Sequence, residues 1–77
     1  MTLNETVALR IKQLCEEKNI SLQELAKRSK VSERTLKILL KAPPDRRTRV
    51  STIIKICMGL GVSVFYFFNT KEFESLD

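Results

Sequence analysis

Apolar residues recur along the chain at spacings of three and four, and polar capping residues interrupt them at short intervals. This pattern belongs to a series of short amphipathic helices; strand signals are almost absent. Leu3, Val7, Ile11 and Leu14 share one face of a first helix. That helix starts at Thr2, where Glu5 three residues on completes a capping box, and ends near Asn19, a residue type suited to a left-handed C-terminal position. Ser21 and Glu24 form a second capping box, opening a short helix that buries Leu25 and Ala26 and runs out around Lys30.

Ser32 is the next N-cap, and Leu36 and Leu39 follow at helical spacing. The helix they belong to ends before Pro43-Pro44, because a residue preceding proline is pushed out of the α region. The stretch from Pro43 to Thr48 is a loop. Thr48 then precedes an amphipathic run with Val50, Ile53, Ile54, Cys57 and Leu60 apolar, and Gly61 supplies a left-handed stop. Ser63 caps a last short helix from Val64 to Phe68, and the tail 69–77, polar apart from Phe73 and Leu76, either frays or adds a brief helical extension. The predicted class is all-α.

Length narrows the function. At 77 residues the chain makes one core, too small to carry an elaborate catalytic pocket. A chain this short buries only about 60% of its unfolded surface, so a partner chain would add stability. With 43% apolar and 30% charged residues the composition is that of an ordinary globular domain.

Charge changes the picture more. The net charge is +5 and the pI is 9.6, which favours an anionic partner. The charge is also concentrated: the segment from Lys27 to Arg49 holds nine basic residues against two acidic ones, whereas the rest of the chain is net acidic. Such polarity suits a surface that docks on phosphates and releases their counterions. There are no histidines, and Cys15 and Cys57 form neither a metal-ligand spacing nor a CxxC pair, so no metal and no cofactor are expected. Cys57 reads as a small core residue. No nucleophile stands beside a base and no glycine loop cradles a phosphate, which argues against an enzyme and against a small-molecule substrate. No signal peptide or membrane span is visible, so the expected location is the cytosol.

The informative segment runs from Leu22 to Lys41: a short helix, a turn of about three residues, and a second short helix with basic side chains on its outer face. Ala26 is small where two helices must approach, Val31 plugs the turn, and Leu36 and Leu39 back the second helix. Ser32, Glu33, Arg34, Lys37, Ile38 and Lys41 then face away from the core. This is helix-turn-helix geometry.

The residues Ile20 to Ala26, Val31-Ser32, Thr35-Leu36, Ile53 to Cys57 and Leu60 to Ser63 resemble, in order and spacing, the Cro and lambda-repressor type of helix-turn-helix domain, the Xre family of bacterial and phage regulators. The resemblance spans roughly Leu9 to Phe68. It implies a five-helix domain over residues 1–68, followed by the polar tail 69–77. It further implies a repressor-like regulator that binds double-stranded operator DNA as a homodimer, with the third helix, about 32–41, in the major groove. Carried onto this chain, the base-contacting positions are Ser32, Glu33, Arg34, Lys37 and Ile38. Arg34 and Lys37 lead, since both can donate to guanine O6 and N7. Glu33 either accepts from a cytosine amino group or is an internally paired carboxylate. Phosphate positions are Gln23, Lys27, Arg28, Lys41, Arg46, Arg47 and Arg49, each of which has a bland reading as a solvated charge.

This chain departs from the family pattern at Leu22, where glutamine is usual, at Lys30, where the turn usually has glycine, at Leu40, and in a loop about two residues longer than usual. Phe65 and Tyr66 also fall where polar residues are usual, while Val64 and Phe67 match apolar core positions. With Phe68, Phe65 and Tyr66 make an apolar patch suited to two-fold pairing, unless some of these rings fold under Phe73 and Leu76. The patch, with Ile38 and Leu40, keeps a second reading open, a protein-interaction module such as an antitoxin or assembly partner on the same scaffold. A peripheral protein of anionic membranes is a third, disfavoured because the basic residues do not alternate with a long apolar face.

Overall fold

The computed structural model describes residues 2–44 and 48–74. Among these residues six helices follow one another: α1 Leu3–Lys18, α2 Leu22–Ser29, α3 Glu33–Leu40, α4 Val50–Leu60, α5 Val64–Phe68 and α6 Lys71–Glu74. The fold is all-α; no strand occurs among the described residues.

Local chemistry sets most of the boundaries. At the start of α1 the Glu5 N–H donates to the Thr2 hydroxyl at 3.1 Å, and the Thr2 N–H donates to the Glu5 carboxylate at 2.9 Å, a complete capping box. Asn19 ends α1 at φ 55°, with its N–H and that of Ile20 returning to the Glu16 and Cys15 carbonyls; Gly61 ends α4 the same way, at φ 71°. The hydroxyls of Ser21, Ser32 and Ser63 each accept from the backbone N–H three residues on, opening α2, α3 and α5. The second capping box is only half formed. Ser21 caps α2, but the Glu24 carboxylate accepts instead from Arg28 Nε at 3.1 Å.

The core gathers Val7, Ile11, Leu14, Leu25, Val31, Leu36, Leu39, Ile53, Ile56, Cys57, Leu60 and Phe67. α2 packs mainly on α4, and α1 on α3. Asn4 Nδ2 donates to the Pro43 carbonyl at 2.7 Å, which ties the loop after α3 to the start of α1.

Several positions differ from the periodic reading. Leu3, Val50, Ile54 and Val64 point to solvent, and Ala26 is half-buried. In α4 the stripe Ile53, Ile56, Cys57 and Leu60 already fills the inward face. Ile54 lies about 100° around the helix from Ile53, outside that face, and is 42% exposed. Leu3 is in the first turn and overhangs the core. α4 begins after Arg49 rather than Thr48, with no side-chain cap. Among the described residues there are six helices rather than five, because the tail turns once more at α6 and brings Phe73 against Phe67 and Phe68, with ring centroids 6.1 and 4.7 Å apart. Leu76 lies outside the described residues.

Candidate nucleic-acid interface

The helix-turn-helix is built from α2, the turn Lys30 to Ser32, and α3. Lys30 holds the left-handed conformation at φ 59°, the position at which the sequence lacks glycine. Val31 is buried in the turn, and its N–H donates to the buried Ser29 hydroxyl at 3.2 Å. This bond fixes the angle at which the chain leaves α2. Leu36 and Leu39 then seat the inner face of α3 in the core, so the opposite face can only be solvated.

On that outer face a shallow depression is lined by Glu33, Arg34, Lys37, Ile38 and Lys41. Four of the five expected base-facing residues therefore converge with Lys41 on one surface. The fifth, Ser32, is exposed but engaged as the cap, its hydroxyl donating to Thr35 Oγ1 at 2.8 Å and accepting from the Thr35 N–H at 3.1 Å. Arg34 is exposed and makes no hydrogen bond or ion pair among the described residues, leaving its guanidinium fork open. Lys37 approaches Glu33 at 3.9 Å, a long, solvent-exposed pair worth little. Ile38, half-buried, is the apolar element of the surface.

A second depression joins the start of α2 to that of α3 and is lined by Ser21, Gln23, Glu24, Ala26, Lys27 and Glu33. Gln23 and Lys27 thus stand beside the outer face of α3. Arg28 is turned to Glu24. Arg49 is exposed at the N-cap of α4, which has no side-chain cap hydrogen bond among the described residues. Arg46 and Arg47 lie outside the described residues.

The expected association residues separate. Phe65 is 78% exposed and Tyr66 43%. Phe68 is half-buried, edge-to-face against Phe67 at 5.0 Å and against Phe73 at 4.7 Å. Two features escape the sequence reading. Val50, Ile54 and Met58 form an exposed apolar stripe on α4, with Val50 71% and Met58 74% accessible. The signal was present: seven of the eleven α4 residues are apolar, more than one face can bury. Arg10, of α1, reaches the far end of the chain, donating to the Tyr66 and Phe67 carbonyls.

Burial raises both thiols above their ordinary range, Cys15 half-buried and Cys57 buried, so both stay protonated and unreactive near neutrality. Among the described residues no group of three or more His, Cys, Asp or Glu could hold a metal ion, and no helix is long and apolar enough to cross a membrane.

Comparison with known proteins places this geometry. The family model of the Cro/C1-type HTH DNA-binding domain matches residues 10–64. Among solved structures, the chain is similar to the crystal structure of a point mutant of the restriction-modification controller protein C.Esp1396I. The TM-score is 0.85 at 25% sequence identity, over 100% of this chain and 98% of that one. No curated protein sequence matches it.

Proposed function

The chain belongs to the Cro/C1-type helix-turn-helix DNA-binding domains, and from that premise we propose that this DNA-binding transcription regulator is repressor-like, sequence-specific and homodimeric, with α3 in the major groove of its operator. The observation that carries the reading is the outer face of α3, where Arg34, Lys37 and Lys41 surround Ile38 above a fully buried Leu36. The likeness to a restriction-modification controller protein supports a gene-control role. The setting that fits is the cytoplasm of a bacterium or of a phage host.

In this reading Arg34 donates two hydrogen bonds to a guanine, and Lys37 contributes a second base contact once it leaves Glu33. Ile38 packs on a thymine methyl group. Glu33 accepts from a cytosine amino group where the operator offers one, and Ser32 orients the first turn. Gln23, Lys27, Arg28, Lys41 and Arg49, with Arg46 and Arg47, hold phosphates and set the register, carrying affinity rather than sequence information. The N-terminus of α4, which has no side-chain cap hydrogen bond among the described residues, adds backbone N–H donors for one phosphate oxygen. Two copies pair through Phe65, Tyr66 and Phe68 together with Val50, Ile54 and Met58, so that two α3 helices meet half-sites about 34 Å apart.

The test is fluorescence anisotropy of a labelled random-sequence duplex at about 50 and 200 mM salt. One copy engaging four or five of its six phosphate-holding cations gives a slope of log K against log salt near −4, a loss of roughly a few hundredfold across that range, and a dimer engaging both sets gives about twice that slope. Absence of binding at the lower salt would make the basic surface incidental and leave a protein-interaction module, docking through Phe65, Tyr66 and Ile38, as the function.

A further inference from the structure

α5 has five residues, barely more than one turn, and cannot hold its own conformation or direction without help. It is fixed to the rest of the domain through few groups. Phe67 is fully buried and Phe68 packs edge-to-face on it and on Phe73, contacts that seat α5 on the core without a directional bond. Arg10 adds the directional bonds. Its Nε donates to the Phe67 carbonyl and its Nη2 to the Tyr66 carbonyl, both at 2.8 Å, and its guanidinium carbon lies 5.2 Å from the centre of the Tyr66 ring. Seven residues further along α1, on the same face, Glu17 accepts from the Tyr66 hydroxyl at 3.3 Å. A planar fork on two adjacent carbonyls fixes direction as well as distance, which a flexible ammonium does not do. It also places a cation at the carbonyl end of α5, where the dipole favours it.

We propose that Arg10 is a positioning residue for operator recognition: it orients α5 on α1, thereby aims the Phe65 face at the second copy, and so sets the distance between the two recognition helices. The inference rests on the homodimer reading above. Among the described residues, Arg10 makes no hydrogen bond, ion pair or ring contact with a residue assigned to base or phosphate contact, so its loss changes spacing and not local DNA affinity.

The test measures binding of the full chain to palindromic duplexes whose half-sites are separated by a graded series of centre-to-centre distances, alongside a random duplex. Wild type should prefer one separation by about tenfold or more over distances two base pairs away, the behaviour of a rigid two-fold reader. Arg10→Met should keep its helical spectrum, the wild-type affinity and salt slope on the random duplex, and lose the preference to within about threefold. Arg10→Lys keeps the charge but not the fork, and should flatten the profile as well; it also serves if Arg10→Met fails to fold. A spacing preference retained in a folded Arg10 variant overturns the inference while leaving the homodimer intact. A wild-type protein with no preference overturns the homodimer reading and this inference with it.

Discussion

Gly59 and Ser29 mark the closest approach of α4 to α2: a Cβ on residue 59 would stand 2.8 Å from the Ser29 backbone nitrogen and 2.9 Å from its Cβ. Both neighbours are fixed, one being backbone and the other the root of the side chain whose hydroxyl accepts from the Val31 N–H. Gly59 therefore sets how near the helix-turn-helix lies to the rest of the core.

Gly59→Ala should consequently destabilise the protein although alanine is the better helix former. The propensity gain is about 1 kcal/mol, whereas forcing the helices apart costs about 1 to 3 kcal/mol in a packed core. Because the shift falls on the end of α2, the turn should loosen too. Urea unfolding checks the first effect; a midpoint at or above wild type would show that α2 and α4 slide apart without penalty.

Lys30→Gly should act in the opposite direction. Lys30 occupies the left-handed region at φ 59° at the end of α2, where a side chain costs on the order of 1 kcal/mol and glycine costs none. The variant should unfold at higher urea, and loss of the Lys30 charge should lower affinity for DNA only slightly. An unchanged or lower urea midpoint would mean that the conformation carries no strain.

The helix starts were legible in the sequence because capping is a local code. Thr2, Ser21, Ser32 and Ser63 each announce the helix they open, and Asn19 and Gly61 the helix they close. The outer face of α3 was legible because, once Leu36 and Leu39 face inward, helical geometry dictates that Arg34, Lys37 and Lys41 face out. What escaped depended on non-local competition. Ile54, Val50 and Val64 are as apolar as Ile53, and only the limited width of the core decides which of them are left out. Glu24 matches a capping box but finds Arg28 within reach. Arg10 was invisible because its partners are main-chain carbonyls more than fifty residues away, and carbonyls have no residue identity to read.

Acid should weaken the start of α1. The Thr2 backbone N–H, and after it the Thr2 side chain, hold the Glu5 carboxyl below its ordinary range. A depressed folded-state value means that the stabilisation is complete above the unfolded-state value of about 4.3 and is lost as the pH falls through the folded one. Wild type should therefore exceed Glu5→Gln in Tm at neutral pH, with the gap closing below about pH 4. A gap independent of pH would remove the carboxylate from the account.

The exposed apolar face of α4 and α5 should be the seat of self-association. Met58→Lys and Phe65→Asp each place a charge where a second copy would have to desolvate it, at a cost of several kcal/mol. Sedimentation should show wild type as a dimer and both variants as folded monomers that retain weak binding to random duplex. Wild type sedimenting as a monomer at tens of micromolar, or variants that remain dimeric, would place the interface elsewhere.

The most direct test of α3 as the reader of sequence compares Arg34→Ala with Lys27→Ala on an operator selected from a random library and on random duplex. Arg34→Ala should lose about 1 to 3 kcal/mol per half-site on the operator, relax the preference at one position of each half-site and change random binding little; Lys27→Ala should weaken both duplexes alike and reduce the salt slope by about 1 per bound copy. Equal losses on operator and random duplex for Arg34→Ala would contradict the account, because a residue that only meets phosphate cannot be the one that reads bases.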